Sequence, residues 1–591
     1  MSNRFFPVLF GSVIFSLMGC ASAPTSSPET PAGLSDAYPT VQLLSWSDFH
    51  SAIYEAKKQD GTAFGGLPVF MAEVEKLRGD GLSLLIDGGD MCQGAMAFNE
   101  SKGMGMVDVM NALRIDVATF GNHEFDYGPG AKYPDSQRGA LQEMVEASNF
   151  PWVSANIAAK ADNPYAWPFE SVKPYIILEK GPYRIAVIGV IAQETAIATT
   201  AEHVVGLEFQ SPAEVLKRYV PEIVAQNPDM IIVDAHTTGV PVPLPEEGAV
   251  VPDAVFDGEI GEILALPEEI KKHIDLILSA HSHKSFIAYS GDTTVIQNFN
   301  GGKEVTSMTL VGDRNGLHVD RASIRKHVLK HPQIEVGCGV QEKPLEPIEV
   351  DGEMLMPSQV GRDIVHKYEA RMTEGRCDVV GCLKEDIKKV YEGECALGNL
   401  IADAMLSRYP EADLALQNAG GVRIDMPGGD IYRETLATMM PFENYLHYVE
   451  LAGADVLRAL KVSSTLKHGT TQVAGVSYKI EKGCHNPEDI NGDGRVDSWE
   501  NNCLCEGVLV KGQPLDSART YKVATSDFIL NGGDDHGGCF NSMKLIEKGP
   551  VIRSIIAEYV QKAGGCFSAE MLRKADAPRI QFGSCEGRFA K

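Results

Sequence analysis

Positive charge is what this chain is short of. Its 591 residues hold 53 Lys and Arg against 80 Asp and Glu, a formal net charge of −27. A protein that tracks a nucleic-acid backbone needs a basic face to release counterions, so a nucleic-acid duplex is excluded as the expected partner. A small phosphorylated ligand is not excluded, because bound cations or a local Arg cluster can invert the field at one site. Long apolar runs are lacking too: the run from Phe5 to Leu17 is too short to span a bilayer. With 44% hydrophobic and 23% charged residues, the rest reads as a globular protein with ample core. At roughly 150 residues per domain, two or three domains are expected.

Residues 1–19 carry one charge, Arg4, ahead of that apolar run, and end in small residues, as a signal peptide does. Leu17-Met18-Gly19-Cys20 resembles a bacterial lipobox, which makes Cys20 the lipidated first residue of the mature chain. The stretch that follows, to residue 39, is rich in Ser, Thr, Pro and Ala without hydrophobic period, the composition of a disordered tether. The expected location is therefore the bacterial cell envelope, with acyl chains as the membrane partner. Ala21 resembles the residue after the Cys in outer-membrane lipoproteins, facing the periplasm or the exterior. Beyond Cys20 lie eleven of the 12 cysteines, and in an exported chain most are expected in disulfides. The odd number leaves at least one thiol free, and Cys92 stands apart from the others. Cys377 with Cys382, and Cys484 with Cys503 or Cys505, are candidate local pairs, though spacing does not determine connectivity.

Between residues 41 and 312 short apolar runs alternate with amphipathic stretches, the pattern of a layered α/β or α+β domain. The runs end in metal-type side chains. Val41–Trp46 leads to Asp48 and His50, Leu82–Ile86 to Asp90, Asp116–Phe120 to Asn122 and His123, Met230–Val233 to His236, and Ile274–Leu278 to His281 and His283. In an extended strand residues i and i+2 face one side, so Asp48 with His50, and His281 with His283, are expected to converge. With Asp90, Asn122 and His236 these carboxylate, imidazole and amide donors suffice for two first-row metal ions. Glycines around Asp90 and before Asn122 allow the close backbone approach that a buried metal pair demands.

Asp48-Phe49-His50, Asp87-Gly88-Gly89-Asp90, Gly121-Asn122-His123-Glu124-Phe125-Asp126-Tyr127-Gly128 and Ala280-His281-Ser282-His283 together resemble the 5′-nucleotidase and UDP-sugar hydrolase family of calcineurin-like metallophosphoesterases. The resemblance implies a four-layer α/β/β/α metallophosphoesterase sandwich over 40–335 and an α/β substrate domain over 381–591; between them, over 336–380, strand periodicity is lacking and Pro357–Met372 reads as a linker helix. It implies one metal on Asp48, His50, Asp90 and His283 and a second on Asp90, Asn122, His236 and His281, with Asp90 bridging. Zinc, manganese and iron suit these donors comparably. Two such cations lower the pKa of a bound water and neutralise phosphoryl oxygens during in-line attack. The resemblance makes His123 a catalytic residue that stabilises the transition state or protonates the leaving oxygen, and Asp126 would orient it. Cys92 is read as packing.

In the second half Glu394–Met405 resembles the opening helix of the family's C-terminal domain, and the stretches Asn418–Arg423, Pro441–Asn444 and Asn531–Asp534 resemble its substrate loops in order. By that match Arg423 grips phosphate, Asn418 and Asn444 hydrogen-bond base or sugar, and Phe442 stacks on the base. Two departures bear on specificity: the stretch Lys388–Gly393 holds no Arg where nucleotide-hydrolysing members carry one or two, and the second base-stacking position falls on His536. Finally, Asp489–Glu500 fits the twelve-residue EF-hand loop, with Asp489, Asn491, Asp493, Asp497 and Glu500 at oxygen positions 1, 3, 5, 9 and 12, Gly494 at 6 and Arg495 at 7. A lone structural calcium loop, flanked by Cys484, Cys503 and Cys505, is expected. The leading expectation is a dinuclear metal-dependent hydrolase that releases phosphate from nucleotides. The alternatives are the same scaffold acting on cyclic nucleotides, nucleotide sugars or a sulfur substrate, and, from another class, a calcium-stabilised surface binding protein, which has no need of a complete dinuclear set.

Overall fold

The computed structural model describes residues 38–591 except 59, 247–248, 315, 333–337, 339–342, 373–374, 493 and 498. The signal peptide, Cys20, nearly all of the tether and Asp493 lie outside the described residues. Strand Val41–Trp46 shows why the first domain is layered. Its side chains alternate between faces, and both faces are apolar: Val41 and Leu43 enter one core, Leu44 and Trp46 another. The neighbouring strand Leu82–Asp87 repeats the division, with Leu84 and Ile86 on the first face and Leu85 on the second. A strand apolar on both sides must be covered on both sides, by a second sheet on one face and helices on the other.

The second sheet contains Tyr183–Ile191, Met230–His236, Leu276–Ser279 and Thr293–Gln297 in mutually parallel neighbours. Ile185, Val187, Met230, Ile232, Leu276 and Leu278 meet the first sheet in the central core. The opposite face, through Ala186, Ile188, Val233 and Ala235, packs against helices Pro212–Val224 and Gly258–Leu264. Helices Leu67–Arg78 and Met104–Leu113 cover the outer face of the first sheet. The result is the four-layer α/β/β/α order expected from the sequence. In each sheet the parallel strands end on the same side, and there the ligand candidates emerge.

The expected helix between the domains runs Gln359–Glu369, with Ser358 accepting from Gly361 N (3.2 Å) at its start. It is no free connector: Val365 and Tyr368 are buried in the first domain's outer core beside Leu67–Arg78. The second domain is built on a five-stranded sheet in the order Gln472–Ala474, Leu414–Gln417, Thr520–Ser526, Tyr445–Ala452, Lys544–Val551. Helices Ala396–Arg408 and Ile552–Ala563 cover one face and Gly453–Ser464 the other. Among the described residues four disulfides join Cys338–Cys377, Cys382–Cys566, Cys484–Cys503 and Cys505–Cys585. The expected Cys377–Cys382 pair does not form, because Cys382 lies in a strand whose parallel neighbour sets Cys566 directly opposite it. Cys92, Cys395 and Cys539 are buried free thiols. Among the described residues no helix is long and apolar enough to cross a membrane.

Candidate metal centre and active site

All seven candidate ligands gather at the strand ends, by a tighter route than the extended i, i+2 geometry expected from sequence. Asp48, His50, Asp90, His281 and His283 have φ of 52°, 50°, 52°, 72° and 57°. The strands have already ended, and the chain must double back within two residues to aim successive side chains at one point. Left-handed backbone costs a non-glycine residue about 1–3 kcal/mol and persists only where surrounding structure imposes it. Here the imposing contacts are Asp48 N to Gly89 O (2.9 Å), His50 N to Asp90 O (2.9 Å) and Gly301 N to Asp48 O (2.7 Å). His236 differs, being the last residue of its own strand. Glycine is required where these turns touch: a Cβ on Gly121 would lie 2.1 Å from Asp90 Oδ1, and one on Gly89 would lie 2.7 Å from Gly121 N.

The donors form two groups. Asp48, His50 and His283 bring ligand atoms within 4.8 Å of one another, as do Asp90, His236 and His281. Asp90 Oδ2 stands between them, 3.9 Å from His50 Nε2 and 3.2 Å from His236 Nε2. Hydrogen bonds on the far sides of the rings select which nitrogen faces inward. His236 Nδ1 is bound to Gly88 O (2.8 Å) and His50 Nδ1 to Cys92 O (3.3 Å), leaving each Nε2 for the centre. His281 is reversed, its Nε2 being held by Glu194 Oε1 at 2.9 Å. Asn122 Oδ1 and His236 Nε2 are buried without a hydrogen bond. His50 Nε2 and His283 Nε2 face each other at 2.9 Å. Such a convergence of lone pairs and carboxylates fits divalent cations. Burial alone would raise Asp90, but His236 and His123 outweigh it and hold the carboxyl well below its ordinary range. His236 is raised to about 10 by Asp90 against the opposing effect of burial. The field that keeps a proton there would equally favour a cation.

Behind the ligands, Glu124 accepts from Asp90 N (2.9 Å), Gly121 N (2.7 Å) and Cys92 N (3.2 Å), tying the two turns together. Burial and the nearby Asp90 push this carboxyl up to about 8. His123 directs Nε2 toward the centre while its Nδ1 meets Asp126 Oδ2 at 2.6 Å. Asp126 is itself held by Gln93 Nε2 (3.0 Å) and Thr199 Oγ1 (2.7 Å).

The second domain closes the site. Arg423 Nη2 lies 3.3 Å from His50 Nε2 and 3.4 Å from His123 Nε2, and the Phe442 ring is centred 5.6 Å from that of His123. Lys389, in the stretch without Arg, donates Nζ to Arg423 O (3.1 Å), and burial with Arg423, Lys303 and Lys284 brings its ammonium down to about 8. Asn418 is nearly buried, with Nδ2 bound to Asp534 Oδ2 (2.9 Å), and Asn444 anchors its loop by accepting from Ile552 N (3.0 Å). His536 is not an open stacking face. It is 3% exposed, lies parallel to Phe540 and gives Nδ1 to Gly533 O (2.9 Å), because the glycine-rich turn folds its ring inward. Sequence reasoning gave Glu124, Lys389 and Asp534 no individual role, although each lies in a stretch it singled out, and it passed over Glu194. The first lies inside a recognised motif and could have been found from its spacing, whereas Glu194 carries no local signal.

The loop Asp489–Glu500 is folded about its two end carboxylates. Asp489 accepts from Gly492 N (2.7 Å) and Gly494 N (3.0 Å), and the fully buried Glu500 from Ile490 N (2.9 Å), Asn491 N (3.0 Å) and Asp497 N (2.8 Å). No helix flanks it among the described residues, as expected of a lone loop.

A model of the calcineurin-like phosphoesterases matches residues 43–285, and one of the 5′-nucleotidase C-terminal domain matches 375–542. The chain is 26% identical over 584 residues to a 5′-nucleotidase of Vibrio cholerae, covering 94% of this chain and 95% of that one. It is 24% identical over 602 residues to a snake venom 5′-nucleotidase of Crotalus adamanteus, covering 93% of each. In fold it is similar to a 5′-nucleotidase precursor from Thermus thermophilus (TM-score 0.70, 22% identity, 92% of this chain and 99% of that chain). It is similar too to a sulfate thiohydrolase from Thermus thermophilus (TM-score 0.68, 18% identity, 93% and 97%).

Proposed function

Since the chain belongs to the 5′-nucleotidase family, joining a calcineurin-like phosphoesterase domain to a 5′-nucleotidase C-terminal domain, and is thus a phosphoester hydrolase, we propose that it releases phosphate from nucleotides at a dinuclear metal centre. Asp48, His50, Asp90 and His283 would hold one divalent ion and Asp90, Asn122, His236 and His281 the other, with zinc, manganese or iron as candidates. When bound, such ions supply Lewis acidity toward phosphoryl oxygens and an activated water. The observation that carries the reading is the meeting of Arg423 with His50 and His123, which brings a phosphate-gripping guanidinium from one domain onto the ligand set of the other.

The chain's own residues then have distinct tasks. Arg423 binds and orients the phosphoryl group, its planar fork matching two oxygens. Asp126 accepts from His123 Nδ1–H and fixes the ring's orientation, so that Nε2 faces the departing oxygen, to which the doubly protonated ring would give a proton. Phe442 offers an apolar ring for a base and Asp534 an acceptor for a sugar hydroxyl. Asp489, Asn491, Asp493, Arg495 through its carbonyl, Asp497 and Glu500 would bind a structural calcium ion. Lipidation at Cys20 would hold the enzyme in the cell envelope, at the outer membrane.

The test is phosphate release from AMP, UMP, UDP-glucose, 2′,3′-cyclic AMP and bis-p-nitrophenyl phosphate with manganese or zinc, beside His123→Ala. His123-dependent turnover of the monophosphates is expected. Turnover of the diesters or the nucleotide sugar alone would redirect the site to those substrates, and inactivity on all five would remove the nucleotide reading. Lys389 in place of an arginine is the observation that keeps the other substrates in view.

A further inference from the structure

Two side chains outside every recognised motif connect the metal centre to the substrate loops. Glu194, at the start of the short helix Thr195–Ala198, receives His281 Nε2 on Oε1 at 2.9 Å, and its Oε2 lies 3.8 Å from Lys467 Nζ. Lys467 follows helix Gly453–Ser464 in the second domain, and its ammonium is 2.7 Å from Asp535 Oδ2. Asp535 also meets His468 Nε2 at 2.7 Å, and Asp534 beside it holds Asn418 Nδ2 at 2.9 Å. A backbone bond from Asp534 N to Ile197 O (3.3 Å) joins the same two segments, so the contact does not depend on one lysine rotamer. A single carboxylate thus touches both a candidate metal ligand and the cation that anchors the substrate loop.

We propose that Glu194 is a positioning residue that links retention of the second metal to docking of the substrate domain. The inference rests on the dinuclear reading above. Glu194 keeps the His281 proton on Nε2, so Nδ1 presents its lone pair to the centre. Lys467 attracts the second carboxylate oxygen across 3.8 Å and so favours the rotamer in which Glu194 faces His281. Carboxylate partners of ligating histidines typically contribute 10–100-fold to metal affinity. Any contact that orders such a partner must shift metal affinity, and by reciprocity metal occupancy shifts docking.

The experiment is calorimetric titration of the metal-stripped full chain with Mn²⁺ in saturating Ca²⁺, which keeps the loop Asp489–Glu500 filled, alongside Glu194→Ala, Glu194→Gln and Lys467→Met, with circular dichroism to verify folding. The parent is expected to bind two ions. Glu194→Ala should weaken one of them about 10–100-fold and leave the other unchanged, with Glu194→Gln recovering part of the loss because its amide oxygen still accepts from Nε2. Lys467→Met, which touches no ligand, should weaken the same ion several-fold, an effect a purely local partner would not produce. If Lys467→Met binds both ions as the parent does, the linkage is wrong. If both Glu194 variants do, the positioning role is wrong as well. Failure of the parent itself to bind two ions would overturn the dinuclear reading and this inference together.

Discussion

Replacing Gly121 by Ala tests the packing of the metal centre at its narrowest point. The backbone itself would tolerate alanine, since φ and ψ at Gly121 are −100° and 179°. The obstacle is contact: the new Cβ would lie 2.1 Å from Asp90 Oδ1 and 2.5 Å from Asp90 N. Rotating the carboxylate relieves the first clash but not the second, so the Asp90 turn must shift by about 1 Å to regain ordinary separation. Overpacking of this kind costs about 1–3 kcal/mol of stability. A displacement of 1 Å in a residue shared by both metal groups can lower activity about 100-fold. Steady-state phosphate release, metal content by mass spectrometry and thermal unfolding measure the three consequences separately. Gly81→Ala is the control, because a Cβ there meets nothing within 4 Å. Should Gly121→Ala keep its metals and stay within about twofold of the parent in kcat/KM, the reasoning from close approach is refuted.

His123→Asn should lower kcat by about 10²–10⁴ while metal content stays at the parent level, and loss of metal along with activity would instead make it a ligand. Burial raises Asp275 to about 6 while it accepts from Ile231 N at 2.8 Å. A carboxyl whose folded pKa lies above its unfolded value contributes stability in full below about pH 4 and loses it as pH climbs through about 6. Asp275→Asn keeps the acceptor and removes the titration, so urea midpoints should show it more stable than the parent at pH 7.5 by about 1–2 kcal/mol and equal near pH 4; identical pH slopes would contradict this. Calcium at about a hundred times its Kd should stabilise the protein by about 2.7 kcal/mol. With the metal centre kept saturated with manganese, added calcium should therefore raise Tm by several degrees in the parent and not in Glu500→Gln, and a parent indifferent to calcium would leave the loop without its ion.

What could be read from the sequence was what lies close together along it. Asp48, Asp90, Asn122 and His236 each sit within four residues of the end of an apolar run, so a strand-then-ligand pattern is local information. The alternation of apolar runs gave a layered domain and the family resemblance implied its four layers; that Val41–Trp46 is buried on both faces is what the folded chain adds. Backbone conformation at the turns was not legible, since nothing in Asp48-Phe49-His50 distinguishes an extended tripeptide from a left-handed corner closed by Gly89 and Gly301. Partners distant in sequence were equally hidden: Cys382 finds Cys566 across 184 residues, and His281 finds Glu194 across 87. The burial of His536 depended on Phe540 and on a turn whose direction only the folded chain determines.

Packing of the helix Gln359–Glu369 decides where this protein could be cut. A fragment ending at residue 335 would strip Val365 and Tyr368 from the first domain and leave an apolar groove beside Leu67–Arg78 open to water. Arg376 marks the natural border, because its guanidinium binds Glu369 (2.8 Å) on one side and Glu434 (2.9 Å) on the other. An expression fragment of the phosphoesterase half should therefore run to about residue 377, carrying the helix and keeping Cys338 joined to Cys377. A hybrid that exchanges substrate halves between relatives should place its junction there too, with Arg376 and Glu434 matched across it.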